Sequence, residues 1–152
     1  MMIIEELKKF LIQSQTLDLR TQNYINYYNN CVVKFSFGKG RVSSVPWIAF
    51  LRNNNEIRRG IYPAILFYKN QNILVTSFAI GTYSDEYIDD WTFPEGTKKK
   101  RIIELFSNIP SNKIHYGNSY YHKVFEVNEN IDFIEIQNSI DHMIDIYTKY
   151  NE

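Results

Sequence analysis

Two apolar runs of eight residues, IYPAILFY (61–68) and ILVTSFAI (73–80), lie four residues apart and constrain the fold more than any other part of the chain. Their length and their wealth of Ile, Val, Phe and Tyr read as strands. Lys69-Asn70-Gln71-Asn72 between them reads as the turn of a hairpin. Apolar strands need cover, and the flanking segments can supply it. Residues 3–14 carry apolar side chains at 3, 4, 7, 10 and 11, the spacing of an amphipathic helix. Residues 130–150 repeat that spacing through Phe133, Ile136, Ile140, Met143, Ile144 and Tyr147. Between these ends, 32–37 alternates Val33, Phe35 and Phe37 against Lys34 and Ser36, and 47–51 and 120–127 also read as strands. Residues 20–31 read as a short helix or an irregular connection, Asn53-Asn54-Asn55 as a turn, 83–90 as an acidic loop, and 98–106 as a short helix. The sum is an α+β fold, a mixed, mainly antiparallel sheet flanked by a helix at each chain end. At 152 residues, with no linker and no repeat, one domain is expected.

The net charge is zero only by cancellation. From Leu19 to Ser84 there are eight basic residues and a single acid, Glu56, so this window carries +7 and the rest of the chain −7. A basic middle in a neutral chain points to a polyanionic partner, unless the charges scatter over several faces on folding. Aromatic residues reach 16%, with twelve tyrosines, which suits both cores and recognition surfaces. An A·T-rich genome would also favour such usage. The lone cysteine, Cys31, excludes an internal disulfide and fits a reducing cytoplasm. The first residues mix acids and lysines with apolar positions, unlike a signal peptide, and no run reaches transmembrane length, so no membrane role is expected.

Enzyme chemistry finds little to work with. SFGKG (36–40) has the glycines and lysine of a phosphate loop, but Val33 stands where the first glycine belongs, and Gly40-Arg41-Val42 does not supply Gly-Lys-Ser/Thr. The Glu6-Leu7-Lys8 triplet lies on a helix with no acidic partner, so a metal-dependent nuclease site is not built. Asp85, Glu86, Asp89 and Asp90 read as a solvated loop, and His115, His122 and His142 are scattered. No catalytic residue, metal site or cofactor is therefore expected. What remains is a basic region interleaved with aromatics. Lys34, Lys39, Arg41, Arg58 and Arg59 suit phosphates, with Arg52 a weaker candidate, and Ser43 and Ser44 can donate to phosphate oxygens. Trp47 and Tyr62 can stack on bases. Lys98, Lys99, Lys100 and Arg101 form either a second basic patch or a solvated helix start that opposes the helix dipole.

Four segments, SFGKG (36–40), SSVPWIAFL (43–51), GIYPAILFYK (60–69) and YGNSYY (116–121), resemble in order and spacing the N-terminal DNA-binding domain of McrB, a modification-dependent restriction protein. The resemblance implies a module that binds duplex DNA and turns a methylated cytosine out of the stack. It implies that Trp47, Tyr62, Leu66 and Tyr116 line the base pocket, and that the loop at Lys39 enters the DNA. In the family a bulky residue between the glycines can fill the gap left by the base; this chain has Lys39 there, which can reach but cannot stack. The resemblance further implies a GTPase motor and a separate nuclease subunit as partners, neither contained in these residues. Two alternatives stay open at this point: a reader of another modified base such as N6-methyladenine, and a peptide-binding module with a tyrosine-rich surface.

Overall fold

The computed structural model describes residues 3–52, 60–80 and 100–150. The Asn53–Asn55 turn, the acidic loop, Arg58, Arg59, Lys98 and Lys99 lie outside these residues. Eight elements follow in order: α1 (Ile4–Ser14), β1 (Tyr27–Tyr28), β2 (Cys31–Ser36), β3 (Trp47–Leu51), β4 (Ile61–Tyr68), β5 (Ile73–Ile80), β6 (Tyr120–Glu126) and α2 (Phe133–Tyr150). The strands form one sheet in chain order, and every pair among the described residues is antiparallel. The expected α+β fold with a helix at each end is what forms.

The β4–β5 hairpin is the middle of it. All eight residues of β4 are buried, and the two strands stay in register from Ile61↔Ile80 to Tyr68↔Ile73. A short 3₁₀ turn at Lys69–Gln71 closes the hairpin and ends on Asn72, whose φ of 53° is a left-handed position that asparagine tolerates. Burial on both sides explains why this segment reads as a continuous apolar run, without the alternation of a half-exposed strand.

One face of the sheet carries both helices. Phe10 of α1 meets Phe35 and Phe37, with ring centres 6.2 and 5.4 Å apart. From α2, Ile136, Ile140, Met143, Ile144 and Tyr147 are buried, and the helix lies against β4, β5 and β6. Asp132 starts α2 by accepting a hydrogen bond from the Glu135 backbone N–H at 3.1 Å. The other face is covered over β4 and β5 by residues 100–119. There Phe106 packs on Tyr68 with ring centres 4.9 Å apart, and the Ile102 and Ile103 amides bond to Ser119 and Gly117 carbonyls.

Three segments refine the reading from sequence. Residues 20–31 contain no helix; β1 and β2 form a hairpin whose turn residues, Asn29 and Asn30, both have positive φ, the requirement of a tight primed turn. The expected helix at 98–106 is a 3₁₀ turn of four residues, Ile102–Leu105. Its basic start meets no long helix dipole, because Arg101 lies over the Tyr120 ring at 5.0 Å and donates to the Tyr120 hydroxyl at 3.0 Å. Of its apolar residues, Ile102 and Phe106 are buried, and Ile103 and Leu105 are half-buried.

A polar chain crosses the α2 interface. Thr76 and Ser139 hydroxyls lie 2.7 Å apart, and Ser139 lies 2.7 Å from Nδ1 of His122, whose ring is beside that of His142. Burial first, then the neighbouring His142 and Lys123, lower the His122 pKa, with Glu135 opposing. A histidine held neutral in the fold but free to protonate near its ordinary value of about 6.5 when unfolded contributes stability above that pH. That stability should be lost as pH falls below about 6.5 toward the depressed folded value. Thermal denaturation between pH 7.5 and 5 should show a falling Tm, and His122→Asn should flatten the slope; an unchanged slope in the variant would assign the acid sensitivity elsewhere.

Candidate nucleic-acid interface

Strand pairing decides which side chains can meet. Trp47 pairs with Leu66, and Leu66 with Val75, so these three share the sheet face opposite the helices. Tyr62 lies on that face four residues before Leu66 along β4, with Ala64 between them. Tyr116 approaches from residues 100–119. Its φ of 59° is unusual for an aromatic residue, and the loop holding it is tied down. Tyr68 donates its hydroxyl to the His115 carbonyl at 2.7 Å, and the Tyr116 carbonyl accepts the Ser119 amide at 3.0 Å. Gly117 follows, where an added side-chain carbon would press on Ile103 at 3.4 Å.

Tyr116 lies close to Trp47 and Tyr62. Burial raises its pKa, and the nearby Trp47 side chain works against that. Tyr62 is buried and its hydroxyl is shifted up, first by desolvation and then by Tyr116. Trp47, Tyr62, Leu66 and Tyr116 therefore form one aromatic and apolar group on one face. Tyr116 keeps 41% of its surface exposed, so the group reaches solvent at this residue.

The cations sort into two kinds. Three of the eight basic residues in the central window serve the fold. Arg20 pairs with Asp18 at 3.0 Å, Lys69 donates to the Ser14 carbonyl at 2.9 Å, and Arg52 reaches the Thr148 carbonyl near the end of α2 at 3.5 Å. Arg52 thus belongs with the helix and not with the aromatic group. Lys34, Lys39 and Arg41 are exposed and make no ion pair among the described residues. Lys34 pairs with Ala49, one step along the sheet from the Ser36–Trp47 pair. An open cleft of about 410 Å³ runs there, lined by Trp47, Lys34, Ser36, Thr21, Ile25 and Asn26 among others.

Lys39 and Arg41 occupy the tip of the loop from β2 to β3. That loop folds back on itself, with the Ser43 amide bonded to the Phe37 carbonyl at 2.8 Å. Gly38, at φ 130°, makes the fold possible, because a side-chain carbon there would collide with the Arg41 carbonyl and sit 2.7 Å from the Ser43 nitrogen. Gly40 also has a positive φ, 79°, but nothing surrounds it. The Ser43 hydroxyl accepts the Val45 amide at 3.0 Å and keeps its own proton to donate, while Ser44 is exposed. Further along, the Pro46 and Ser44 carbonyls accept from Phe67 and Lys69, which fastens the base of the loop to β4.

Cys31 is buried with its thiol pushed up to about 11 by desolvation, against a smaller opposing effect of Arg52, so it is a poor nucleophile. Among the described residues no three His, Cys, Asp or Glu side chains are grouped to hold a metal, and no helix is long and apolar enough to cross a membrane. Sequence reasoning passed over Ser36, Thr21 and Asn26, which only the fold brings beside Trp47. Ser36 alone carried a signal, two positions from Lys34 on the same strand.

Residues 4–152 match the family model described as MrcB-like, N-terminal domain. The chain belongs to this family. It is 35% identical over 145 residues to the type IV methyl-directed restriction enzyme EcoKMcrB subunit of Escherichia coli strain K12, an alignment covering 93% of this chain. The chain spans 31% of the length of that relative.

The two glycines separate steric from conformational demands on the loop. Gly38→Ala should lower stability by more than the roughly 1 kcal/mol that a left-handed alanine costs, because the collision is added to the strain. Gly40→Ala should cost about 1 kcal/mol and no more. Denaturant titration of both variants checks the order; an equal loss would mean that the fold-back of the loop does not depend on Gly38.

Proposed function

We propose that this chain is the DNA-reading module of a modification-dependent restriction system, which binds duplex DNA and holds a flipped-out, 5-methyl-type cytosine against Trp47, Tyr62, Leu66 and Tyr116. What supports this reading is that strand register sets Trp47, Tyr62, Leu66 and Lys34 on one sheet face, with Tyr116 close to Trp47 and Tyr62, while Lys39 and Arg41 are exposed on the loop that leads into β3. A base taken out of the stack needs a flat apolar slot, and phosphates beside it need cations. Membership of the MrcB-like family, and likeness to a subunit named as methyl-directed, support the DNA-binding role and the restriction system.

The residues divide the work. Trp47 and Tyr116 offer rings to the base, and Tyr62 and Leu66 close the slot around it. Lys34, Lys39 and Arg41, with Ser43 and Ser44, hold phosphates, and Arg58 and Arg59 are proposed to join them. Lys39, at the tip of a glycine-hinged loop, lays its aliphatic stem into the gap left by the base and sets its ammonium on a phosphate or a base edge. Burying one methyl group contributes about 0.8 kcal/mol, so discrimination against plain cytosine from burial alone is less than tenfold. The module needs no cofactor and catalyses nothing itself; GTP hydrolysis and DNA cleavage fall to a motor domain and a separate nuclease subunit. It works on DNA in the cytoplasm.

A panel of one duplex carrying cytosine, 5-methylcytosine, 5-hydroxymethylcytosine, N4-methylcytosine or N6-methyladenine tests the reading. Tighter binding to a cytosine modification is expected. Equal weak binding to all five would sink it, and a preference for N6-methyladenine would move the target to another base. Trp47→Ala and Tyr116→Ala should each abolish the preference, with tenfold or greater loss on the preferred duplex, since a base–aromatic stack contributes about 1–3 kcal/mol. Lys39→Ala should weaken all duplexes alike and make the slope of log K against log salt shallower by about 0.9, the loss of one phosphate contact. Binding that ignores salt would instead favour an apolar peptide groove.

A further inference from the structure

Ser77 is fully buried in β5, and its hydroxyl has no hydrogen-bond partner. The other buried hydroxyl side chains among the described residues are engaged. Ser14 bonds to the Phe10 carbonyl, Thr76 and Ser139 to each other, and Ser119 to the Ile80 amide. A buried hydroxyl left unpaired costs about 1–3 kcal/mol, so its position calls for a reason.

Register supplies one. Ser77 pairs with Ala64, and Ala64 with Ala49, giving three small side chains in a row across three strands. That row lies on the face of Trp47 and Leu66. Along β4, Ala64 stands between Leu66 and Tyr62, the two residues proposed to close the slot. The row is small where its neighbours along β4 are large, and Ser77 contributes its one polar side-chain atom. On its far side Ser77 pairs with Tyr121 of β6, which closes the row. The neighbouring Thr76 points the other way, into α2 through Ser139, so the two hydroxyls of this pair serve opposite faces.

We infer that Ser77 Oγ makes a direct hydrogen bond to the polar edge of the flipped base, on a floor formed by Ala49 and Ala64. This rests on the base-flipping reading above. A serine hydroxyl both donates and accepts, so it satisfies a ring nitrogen, a carbonyl oxygen or an exocyclic amino group of a cytosine-type base. Bound base thus relieves a hydroxyl that the free protein leaves unsatisfied. The bond orients the base, while the methyl group is read by apolar contact.

Ser77→Ala, measured on three duplexes with wild type alongside, tests the inference. The duplexes carry the preferred modified base, plain cytosine, or an abasic nucleotide at the target position. The variant should keep or slightly raise the Tm of the free protein, because it removes an unsatisfied group. It should bind the modified duplex about three- to tenfold more weakly, the range of one net hydrogen bond, and the abasic duplex as well as wild type does. A lowered Tm would show a bond in the free protein and overturn the inference, as would equal loss on the abasic duplex. Wild type that discriminates while Ser77→Ala binds like it would remove Ser77 and leave the flipping reading intact. Wild type without any preference would remove the flipping reading itself, and this role for Ser77 with it.

Discussion

Burial of both faces of the β4–β5 hairpin is the constraint on which the rest of the structure depends. A hairpin with one wet face needs one covering layer; this one needs two. Helix α2 covers one face through Ile140, Met143 and Tyr147, and α1 extends that cover over β2 through Phe10. Residues 100–119 cover the other, and that second cover is what delivers Tyr116 to the sheet. The placing of Tyr116 near Trp47 and Tyr62 is therefore a consequence of how the hairpin is enclosed. Tyr68 makes the coupling concrete: its ring packs on Phe106, and its hydroxyl holds the His115 carbonyl next to Tyr116.

How much of this was legible in the sequence follows from which signals are local. The hairpin, β3 and both helices were readable because length and periodicity declare them, and a one-residue error would turn their apolar sets outward. The β1–β2 hairpin was missed, although Asn29-Asn30 is a serviceable primed-turn pair, because its first strand has only two residues and no pattern to read. The turn at Ile102–Leu105 looked helical because its apolar residues cluster; what it does is lay a short connection over a sheet, and tertiary packing overrides local preference there. For the basic residues, charge could be counted but not assigned. Nothing near Lys69 or Arg52 says that each ends on a backbone carbonyl of a helix more than fifty residues away.

The grouping of Trp47, Tyr62, Leu66 and Tyr116 was suggested only through resemblance. Trp47, Tyr62 and Leu66 share a face by strand parity, which a sequence reader can apply once the register is known. Tyr116 comes from fifty residues further on and depends on a left-handed backbone that periodicity cannot reveal. Ser77 was hidden for a related reason. Inside an apolar strand, a serine reads as a small filler until the partners of its hydroxyl are counted.

The arrangement separates two tasks that a DNA reader must perform. On the proposed reading, the residues offered to the base stand on paired strands and on a loop pinned by Tyr68, so they would hold their geometry before DNA arrives and lose little freedom on binding. The exposed cations Lys39 and Arg41 sit on a loop tip whose hinge is a glycine, where small shifts cost little. On that reading, affinity would come from long, adaptable side chains whose contribution fades with salt, and selectivity from rigid ones whose contribution does not. A lysine at the tip fits this division better than an aromatic wedge would. A wedge must match one geometry of an opened duplex, whereas a lysine stem can follow several, which on the proposed reading would leave the choice of base to Trp47, Tyr62, Leu66 and Tyr116.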